Sequence, residues 1–577
     1  MSTQRDNPSS VHNAAEDEAQ RGAAPSPADD AVRDPATLAA EVAAVLPLLE
    51  YLAGDLRRLA ALDEPLRVKL ATAAGALSRP DRYTRRALGK ELTRQRVQMK
   101  KDADRAVLDQ TGIRALRKEA VFRTPLPMPG AALEAAVRDG ADGAEGTDTD
   151  GAPDERDAWA AAEAERSADG KTTARRVHAG RICYVCKTEF NELHEFYDQM
   201  CRPCAEFNWH KRNLTADLRG RIVLVTGARV KIGYQAAMKL LRAGAEVIVV
   251  TRFPVDAAQR YSKEPDAAQW QDRLHIYGAD LRHTPSVEAF CQHLLATLPR
   301  LDGIINNACQ TVRRPSGFYD HLLATELQAM AALQGVERKF VARHAGFMSE
   351  GSPSGLALNA HADAASEAGA LAPQRNIWQS AVLSQVPLLA EDLQRGSHLF
   401  PAGRLDADLQ QVDLRSFNSW RMTLTDVPTA ELLEVHLVNA VAPFVINARL
   451  KPLMARVPTQ DTHIVNVSAM EGQFYRRWKT DKHPHTNMAK AALNMMTRTS
   501  AADYRRDGIH MNSVDTGWVT DEDPVALAAR KLDVHNFHPP LDIVDGAARI
   551  VDPLFDGINT GKHVWGIFIK DYKPAPW

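Results

Sequence analysis

Cysteine is scarce in this sequence, with six in 577 residues. Four of the six fall in two CxxC pairs, and Cys291 and Cys309 stand alone. That pattern excludes the disulfide framework of a secreted domain and implies a reducing, cytoplasmic setting. Net charge is also small, at -2, so no whole-chain field directs the protein to nucleic acid. Aromatic residues make up only 6%, too few for interleaved stacking platforms along a basic strip. No unbroken apolar run approaches the roughly twenty residues of a membrane span. The opening MSTQRDNPSSVHNAAEDEAQ has no hydrophobic signal core, and a membrane partner is not expected. The chain is too long for one compact core, so several segments of different character are expected.

Residues 1–35 are rich in Ala, Pro, Asp and Ser without apolar periodicity and read as disordered. Residues 36–124 carry apolar positions at helical spacing, broken at Pro47, Pro65 and Pro80. From residue 79 to 124 there are fourteen Lys/Arg against six Asp/Glu, so this helical region is basic. It reads either as a partner-binding or nucleic-acid-binding helix or, with fewer assumptions, as the solvated face of a helical hairpin. Residues 125–178 reverse the sign: between 131 and 170 twelve acidic residues face three basic ones, in an acidic low-complexity linker.

Residues 179–215 contain Cys183, Cys186, Cys201 and Cys204 in the spacing C-x2-C-x14-C-x2-C. Two such turns present four thiolates to one ion in a closed tetrahedral site, which suits structural zinc. So short a segment cannot bury a core of its own, and metal binding would supply its folding energy. The competing reading, a redox CxxC, needs one pair beside a βαβ unit, and here there are two pairs. The segment resembles a zinc ribbon or treble-clef knuckle; His194 and His210 are reserve ligands.

From 216 to 577 the sequence alternates short apolar runs with helical stretches: RIVLVTG, AEVIVVTR, LHIYGAD, LDGIINN, THIVNVS, GIHMNSV and HVWGIFI. The alternation predicts an α/β fold, a Rossmann-like doubly wound parallel sheet. Between Asn307 and the helix around Asn439 lies a connection too long to be a plain loop. We read 311–428 as an insertion over the ligand edge of the sheet, with helices at 318–344 and 380–394 and a flexible middle.

The turn TGARVKIG, with Thr226, Gly227 and Gly233, resembles the T-G-x-x-x-G-x-G of the short-chain dehydrogenase/reductase family. Lys231 stands where the middle glycine would let backbone approach a pyrophosphate. Arg229, Lys231 and Ile232 of the same turn are carried as cofactor-lining positions. Arg252, after the second strand, suits a ribose 2′-phosphate, so the resemblance implies NADP in preference to NAD. Asp280 matches the aspartate of the family's adenine pocket. IINNAC, with Asn307, resembles the family's NNAG with Cys309 for glycine, and GIHMNSVDTGWVT resembles its N-x-V-x-P-G-x-V with Thr516 for proline and Gly517 and Trp518 following.

The resemblance implies a catalytic asparagine at Asn439 and a catalytic lysine at Lys490. The family's serine position is Ala469, with Ser468 the adjacent hydroxyl, expected to face away because strand neighbours alternate. The family's tyrosine position is Thr486, whose alcohol is a far weaker acid than a phenol. Tyr475 on the preceding loop and His485, with His483 beside it, are the substitutes the sequence offers, a histidine titrating in the useful range.

Two readings stand. One is an NADP-dependent oxidoreductase with rearranged proton-transfer groups, acting on an unnamed carbonyl or alcohol. The other is a catalytically silent relative serving as a nucleotide sensor or protein-interaction scaffold. Nucleic-acid association through the basic helices is a weaker third, and homo-oligomerisation follows the family's habit.

Overall fold

The computed structural model describes residues 34–126, 175–329, 333–349, 380–393, 396–475 and 479–577. The segment read as a disordered N-terminus lies outside them, apart from its last two residues. So do nearly all of the acidic linker and the middle of the insertion. Two units are distinguished, residues 1–98 and 99–577. In the first, helices Pro35–Gly54 and Glu64–Ser78 bury no residue. Leu38, Val42, Val45 and Leu49 are exposed. By length and composition alone, Pro35–Gly54 and the partly buried Thr429–Met454 are apolar enough to cross a membrane. Both are interrupted by charged residues, Glu41 and Glu50 in the first and Glu431, Glu434, Arg449 and Lys451 in the second, so neither is an unbroken apolar run.

In the second unit every apolar run expected to be a strand contributes one. After a small antiparallel pair, β1 (Arg175–Ile182) and β2 (Glu189–Leu193), come β3 (Ile222–Thr226), β4 (Glu246–Thr251), β5 (Leu274–Gly278), β6 (Gly303–Asn306), β7 (Thr462–Ser468), β8 (Ile509–Asp515), β9 (Phe568–Lys570) and β10 (Lys573–Ala575). The large sheet runs β10-β9-β8-β7-β6-β3-β4-β5, parallel except for β10. Alternation splits each strand between two cores. Val223, Val225, Val247 and Val249 face one helical layer, and Ile222, Leu224, Ile248 and Ile304 face the other. A sheet covered on both faces has no use for a polar alternation, which is why these strands read as continuous apolar runs. Strand order reverses between β3 and β6, so a crevice opens at their carboxyl ends.

The insertion is less helical than its pattern suggests. The expected helix at 318–344 is three short ones, Asp320–Ala329, Gly335–Phe340 and Ala342–Ser349. The one at 380–394 is a single turn, Ser380–Leu383, and a 3-10 turn, Ala390–Leu393. Pro387 between them removes a donor and ends the helix.

The cysteine module joins the sheet domain through buried charge. Arg212, on helix Arg202–Asn213, donates to Asp542 at 2.6 and 2.8 Å and to Asp545 at 2.8 Å. Arg549 reaches Asn208 at 2.7 Å. Asp542 and Asp545 also form the capping box of helix Ile543–Thr560. The two carboxylates thus cap the helix and hold the module's guanidinium at the same time. Residues 99–126 bind the same surface, with buried Arg114 donating to Asp198 at 2.6 Å.

Candidate active site and cysteine cluster

A cavity of about 1230 Å³ lies at the carboxyl ends of the strands. It exceeds the usual range for a small-molecule pocket and has room for a dinucleotide and a substrate. Its floor is the turn after β3. Gly227 holds φ +69°, and a Cβ there would lie 2.8 Å from Ala308 Cα. A Cβ on Gly233 would lie 2.3 Å from Asn307 Nδ2 and 2.4 Å from the Gly227 carbonyl oxygen. Asn307 ties the turn down by donating to the carbonyls of Thr226 and Gly227 at 3.1 and 3.2 Å. The Thr226 hydroxyl accepts from Ala308 N–H at 3.0 Å. Lys231 adopts φ +57°, the left-handed conformation a glycine would take without cost. It lines the cavity without closing it. Ile232 also lines it and packs against Gly546 and the cysteine module.

At one end Arg252 donates to the Tyr319 hydroxyl at 2.7 Å and lies over its ring. Burial pushes the Tyr319 phenol up, but the guanidiniums of Arg252, Arg314 and Arg229 outweigh it and hold the phenol below its ordinary value. This is an electropositive pocket. Arg229 is occupied there, paired to Asp256 at 2.6 Å and hydrogen-bonded to Gln410. Asp280 lines the cavity; burial raises its carboxyl, but Arg282, at 2.7 Å, brings it down below the usual range.

At the other end Lys490 is buried, and its ammonium donates to the Val467 carbonyl at 2.7 Å. Thr486 lies one turn before it on the same helix, Pro484–Arg505. The hydroxyls of Thr486 and Ser468 are buried and have no hydrogen-bond partner among the described residues, and both residues line the cavity. Ser468 borders the cavity although strand alternation suggested that its side chain faces away, and its hydroxyl is closed off from solvent. It ends β7, and at a strand's carboxyl edge a side chain on either face can border the crevice. Ala469 borders it too. Asn439 sits in a π-helical turn, Leu437–Val441, and clasps the backbone of Gln310, accepting from its N–H at 2.8 Å and donating to its carbonyl at 3.1 Å. Such a turn inside an α-helix marks functional sites disproportionately.

The two substitutes the sequence offered are not at the cavity. Tyr475 is 78% exposed and is not among the lining residues. The adjacent Phe474 is exposed as well, because this loop runs along the outside. His485 is buried away from the cavity, with Nε2 3.4 Å from Glu431 Oε1. His483 does line it, stacked on Trp420 with ring centroids 3.8 Å apart.

Several lining residues carried no signal in sequence. Tyr184, between the first two cysteines, reaches the cavity beside Gly517, and its hydroxyl accepts from Trp518 N–H at 3.1 Å. Burial pushes its phenol up to about 12, with Asp571 adding to the rise. Asp515, at the end of β8, is buried and its carboxyl is pushed up to about 6. The insertion supplies Trp420, Asp413 and Arg415.

The four cysteine ligand atoms all lie within 4.8 Å of one another, with Cys186 and Cys201 sulfurs at 3.5 Å. Lys187 takes φ +64°, which closes the first turn, and Cys201 caps helix Arg202–Asn213 at its positive end. Hydrogen bonds from Cys201 and then Cys204 hold the Cys183 thiol low, while the shared protons push Cys201 up to about 12. The donor set and its compactness fit a tetrahedral thiolate site. His194 and His210 are not part of it; His194 Nδ1 accepts the backbone N–H of Phe196 at 3.0 Å.

Comparison with known proteins divides at the insertion. Residues 221–333 match the family model described as short chain dehydrogenase, and residues 412–534 the one described as Enoyl-(Acyl carrier protein) reductase. An uncharacterized protein, R665, of Acanthamoeba polyphaga mimivirus is 28% identical over 387 residues, 65% of this chain and 71% of that protein. Retinol dehydrogenase 14 of Mus musculus is 38% identical over 116 residues, 18% of this chain and 34% of the enzyme. The chain thus spans most of the viral protein but only about a third of the dehydrogenase. Among solved structures, an NADPH-bound carbonyl reductase from chicken fatty liver is 17% identical with a TM-score of 0.36, covering 62% of this chain and 100% of that one. A metagenomic short-chain oxidoreductase in complex with NADP is 17% identical with a TM-score of 0.34, covering 61% and 97%.

Proposed function

We propose that this short-chain dehydrogenase/reductase domain is an NADP-dependent oxidoreductase acting on a small carbonyl or alcohol through altered proton-transfer groups. The observation that carries the reading is the cavity itself. It joins a glycine turn that no Cβ could enter, an arginine pocket at the ribose end, and a buried lysine beside two unpartnered hydroxyls.

When bound, the nicotinamide supplies the hydride. The chain's own groups do the rest. Backbone at Gly227 and Gly233 and the start of helix Lys231–Arg242 receive the diphosphate. Arg252 pairs with the 2′-phosphate. Lys490, fixed by the Val467 carbonyl, holds the nicotinamide ribose and supplies positive charge where the substrate oxygen becomes negative. The hydroxyls of Thr486 and Ser468 orient that oxygen by hydrogen bonding. An aliphatic alcohol is too weak an acid to be the ultimate proton source, so the proton comes from water through these hydroxyls; His483 lines the same cavity, where burial holds its imidazole below its ordinary value.

The cysteine cluster, in this reading, holds one structural zinc ion and braces Tyr184 against the nicotinamide end. The alternative, a silent scaffold, gains from the loss of tyrosine at 486, but the retained room and the buried lysine favour turnover.

The test is a fluorescence titration of the full chain with NADPH and NADH, followed by an assay of a carbonyl panel. NADPH should bind at least tenfold more tightly than NADH, and at least one carbonyl should be reduced. Binding of neither nucleotide would remove the reading, and tight NADPH binding without any turnover would leave only the scaffold.

A further inference from the structure

Beyond the nucleotide cavity and the cysteine cluster, a third set of ligand-type side chains gathers at the opposite, amino-terminal edge of the sheet. His463 is the second residue of β7 and His510 the second of β8. They are direct register partners, so both side chains leave the sheet on the same face. That face is the one covered by helix Ile543–Thr560. The helix ends at Gly561 with φ +70°, and the reversed chain carries His563 back over the same spot. The ligand nitrogens of the three rings all lie within 4.8 Å of one another. His463 Nε2 is 3.0 Å from His563 Nδ1.

Three further features distinguish this from a chance cluster of core histidines. First, helix Ile543–Thr560 carries Gly557 where the rings meet. A Cβ there would lie 2.5 Å from His563 Nδ1 and 3.0 Å from His463 Nε2. A glycine inside a helix costs about 1 kcal/mol relative to alanine, and here it opens the space the rings occupy. Second, His510 Nδ1 lies 3.2 Å from the Thr462 carbonyl oxygen. A carbonyl only accepts, so Nδ1 carries the proton and Nε2 keeps the lone pair, the outer hydrogen bond typical of a metal-bound imidazole. Third, His463 Nδ1 is buried with no hydrogen-bond partner among the described residues. Its other nitrogen, Nε2, is the one turned to His563 Nδ1, so among the described residues the only hydrogen-bonding contact of this buried ring lies within the cluster. His463 and His510 are buried while His563 is half-buried, which leaves one side of the set open to solvent.

We propose that His463, His510 and His563 form a second metal site, a three-histidine centre for a divalent transition ion of the zinc class with a fourth position open to water. Zinc–nitrogen bonds of about 2.0–2.1 Å in tetrahedral array place ligand nitrogens roughly 3.3 Å apart, close to the spacing of the His463–His563 pair. Neutral imidazoles select zinc, cobalt, nickel or copper over magnesium or calcium. The ion would tie β7 and β8 to the return from the last long helix, on the far side of the sheet from the nucleotide cavity. Asp461, paired to Arg221 at 2.6 Å, and Arg505 are the charged groups that face the cluster.

The experiment uses the full chain made metal-free and reloaded with cadmium-113 alone, read by NMR and by metal content. A resonance in the nitrogen-ligand region, separate from any all-thiolate resonance, is the expected result. His563→Ala, chosen because that ring is half-exposed, should lose that resonance and one equivalent of bound metal while the thiolate resonance stays. Gly557→Ala should do the same through steric closure. Absence of a nitrogen-region resonance from the wild-type chain, or its survival at full occupancy in His563→Ala, overturns the proposal.

Discussion

The hydroxyl oxygen of Tyr184 accepts the backbone N–H of Trp518 at 3.1 Å. One residue belongs to the first CxxC turn and the other to the loop after β8, so the cysteine module forms part of the wall of the cavity at the strand ends. A Cβ on Gly517 would lie 3.2 Å from the same oxygen, which shows how closely the module approaches that backbone.

If the cysteine cluster holds zinc as proposed, loss of the metal should be felt at the cavity that Tyr184 borders. Chelation, or Cys201→Ser, is expected to lower the melting temperature and weaken NADPH binding together. Tyr184→Phe removes a single hydrogen bond worth about 1 kcal/mol and should weaken NADPH roughly fivefold while metal content is unchanged. Calorimetry and metal analysis on the same samples check both.

On the proposed reading, Arg252 would govern the choice of nucleotide. Its guanidinium is hydrogen-bonded to a phenol at 2.7 Å, and among the described residues to no carboxylate. A charge-assisted bond to phosphate contributes about 1.5–3 kcal/mol, so Arg252→Ala should weaken NADPH about ten- to a hundredfold and leave NADH nearly unchanged. Equal losses for both nucleotides would show that the pocket serves fold rather than selectivity.

Thr486 and Lys490 should separate in kinetics. Thr486→Ala removes a buried hydroxyl at the cavity wall that has no hydrogen-bond partner among the described residues, and is expected to lower kcat more than tenfold with NADPH affinity preserved. Lys490→Met should impair both, because on the proposed reading the same side chain would hold the ribose and polarise the substrate. Stopped-flow measurement of hydride transfer on a carbonyl that the wild type reduces distinguishes them.

Lys231 holds a left-handed backbone at φ +57°. The conformation costs a side-chain-bearing residue about 1–2 kcal/mol, partly offset because glycine loses more chain entropy on folding. Lys231→Gly should raise stability by up to about 1 kcal/mol in denaturant unfolding and leave NADPH bound.

Asp515 sets a pH dependence of known sign. Burial raises its carboxyl to about 6, with the nearby Asp571 and Glu471 pushing the same way and Lys570 opposing them. Because the folded value exceeds the unfolded one of about 3.9, the native state loses stability as pH rises from about 4 to 6 and stays lowered above that. Asp515→Asn should match the wild type below pH 4 and exceed it by up to about 3 kcal/mol above pH 6. Melting curves across that range decide it.

The parallel sheet was legible in the chain itself. Seven apolar runs separated by helical stretches become β3 to β9, because a strand buried on both faces has only apolar positions to show. The glycine turn, Arg252, Asp280 and Lys490 all border the cavity, a placement that was readable because each is tied to a fixed point along a strand or helix. The cysteine spacing predicted a four-sulfur cluster for the same reason. What the sequence could not reach were meetings between distant segments. Tyr184 beside Trp518, Ser468 at the rim of the crevice, His485 turned to Glu431 and the three histidines under helix Ile543–Thr560 depend on which strand neighbours which and where a helix ends. Periodicity fixes the face of an element, whereas only the packing of one element on another fixes what that face meets.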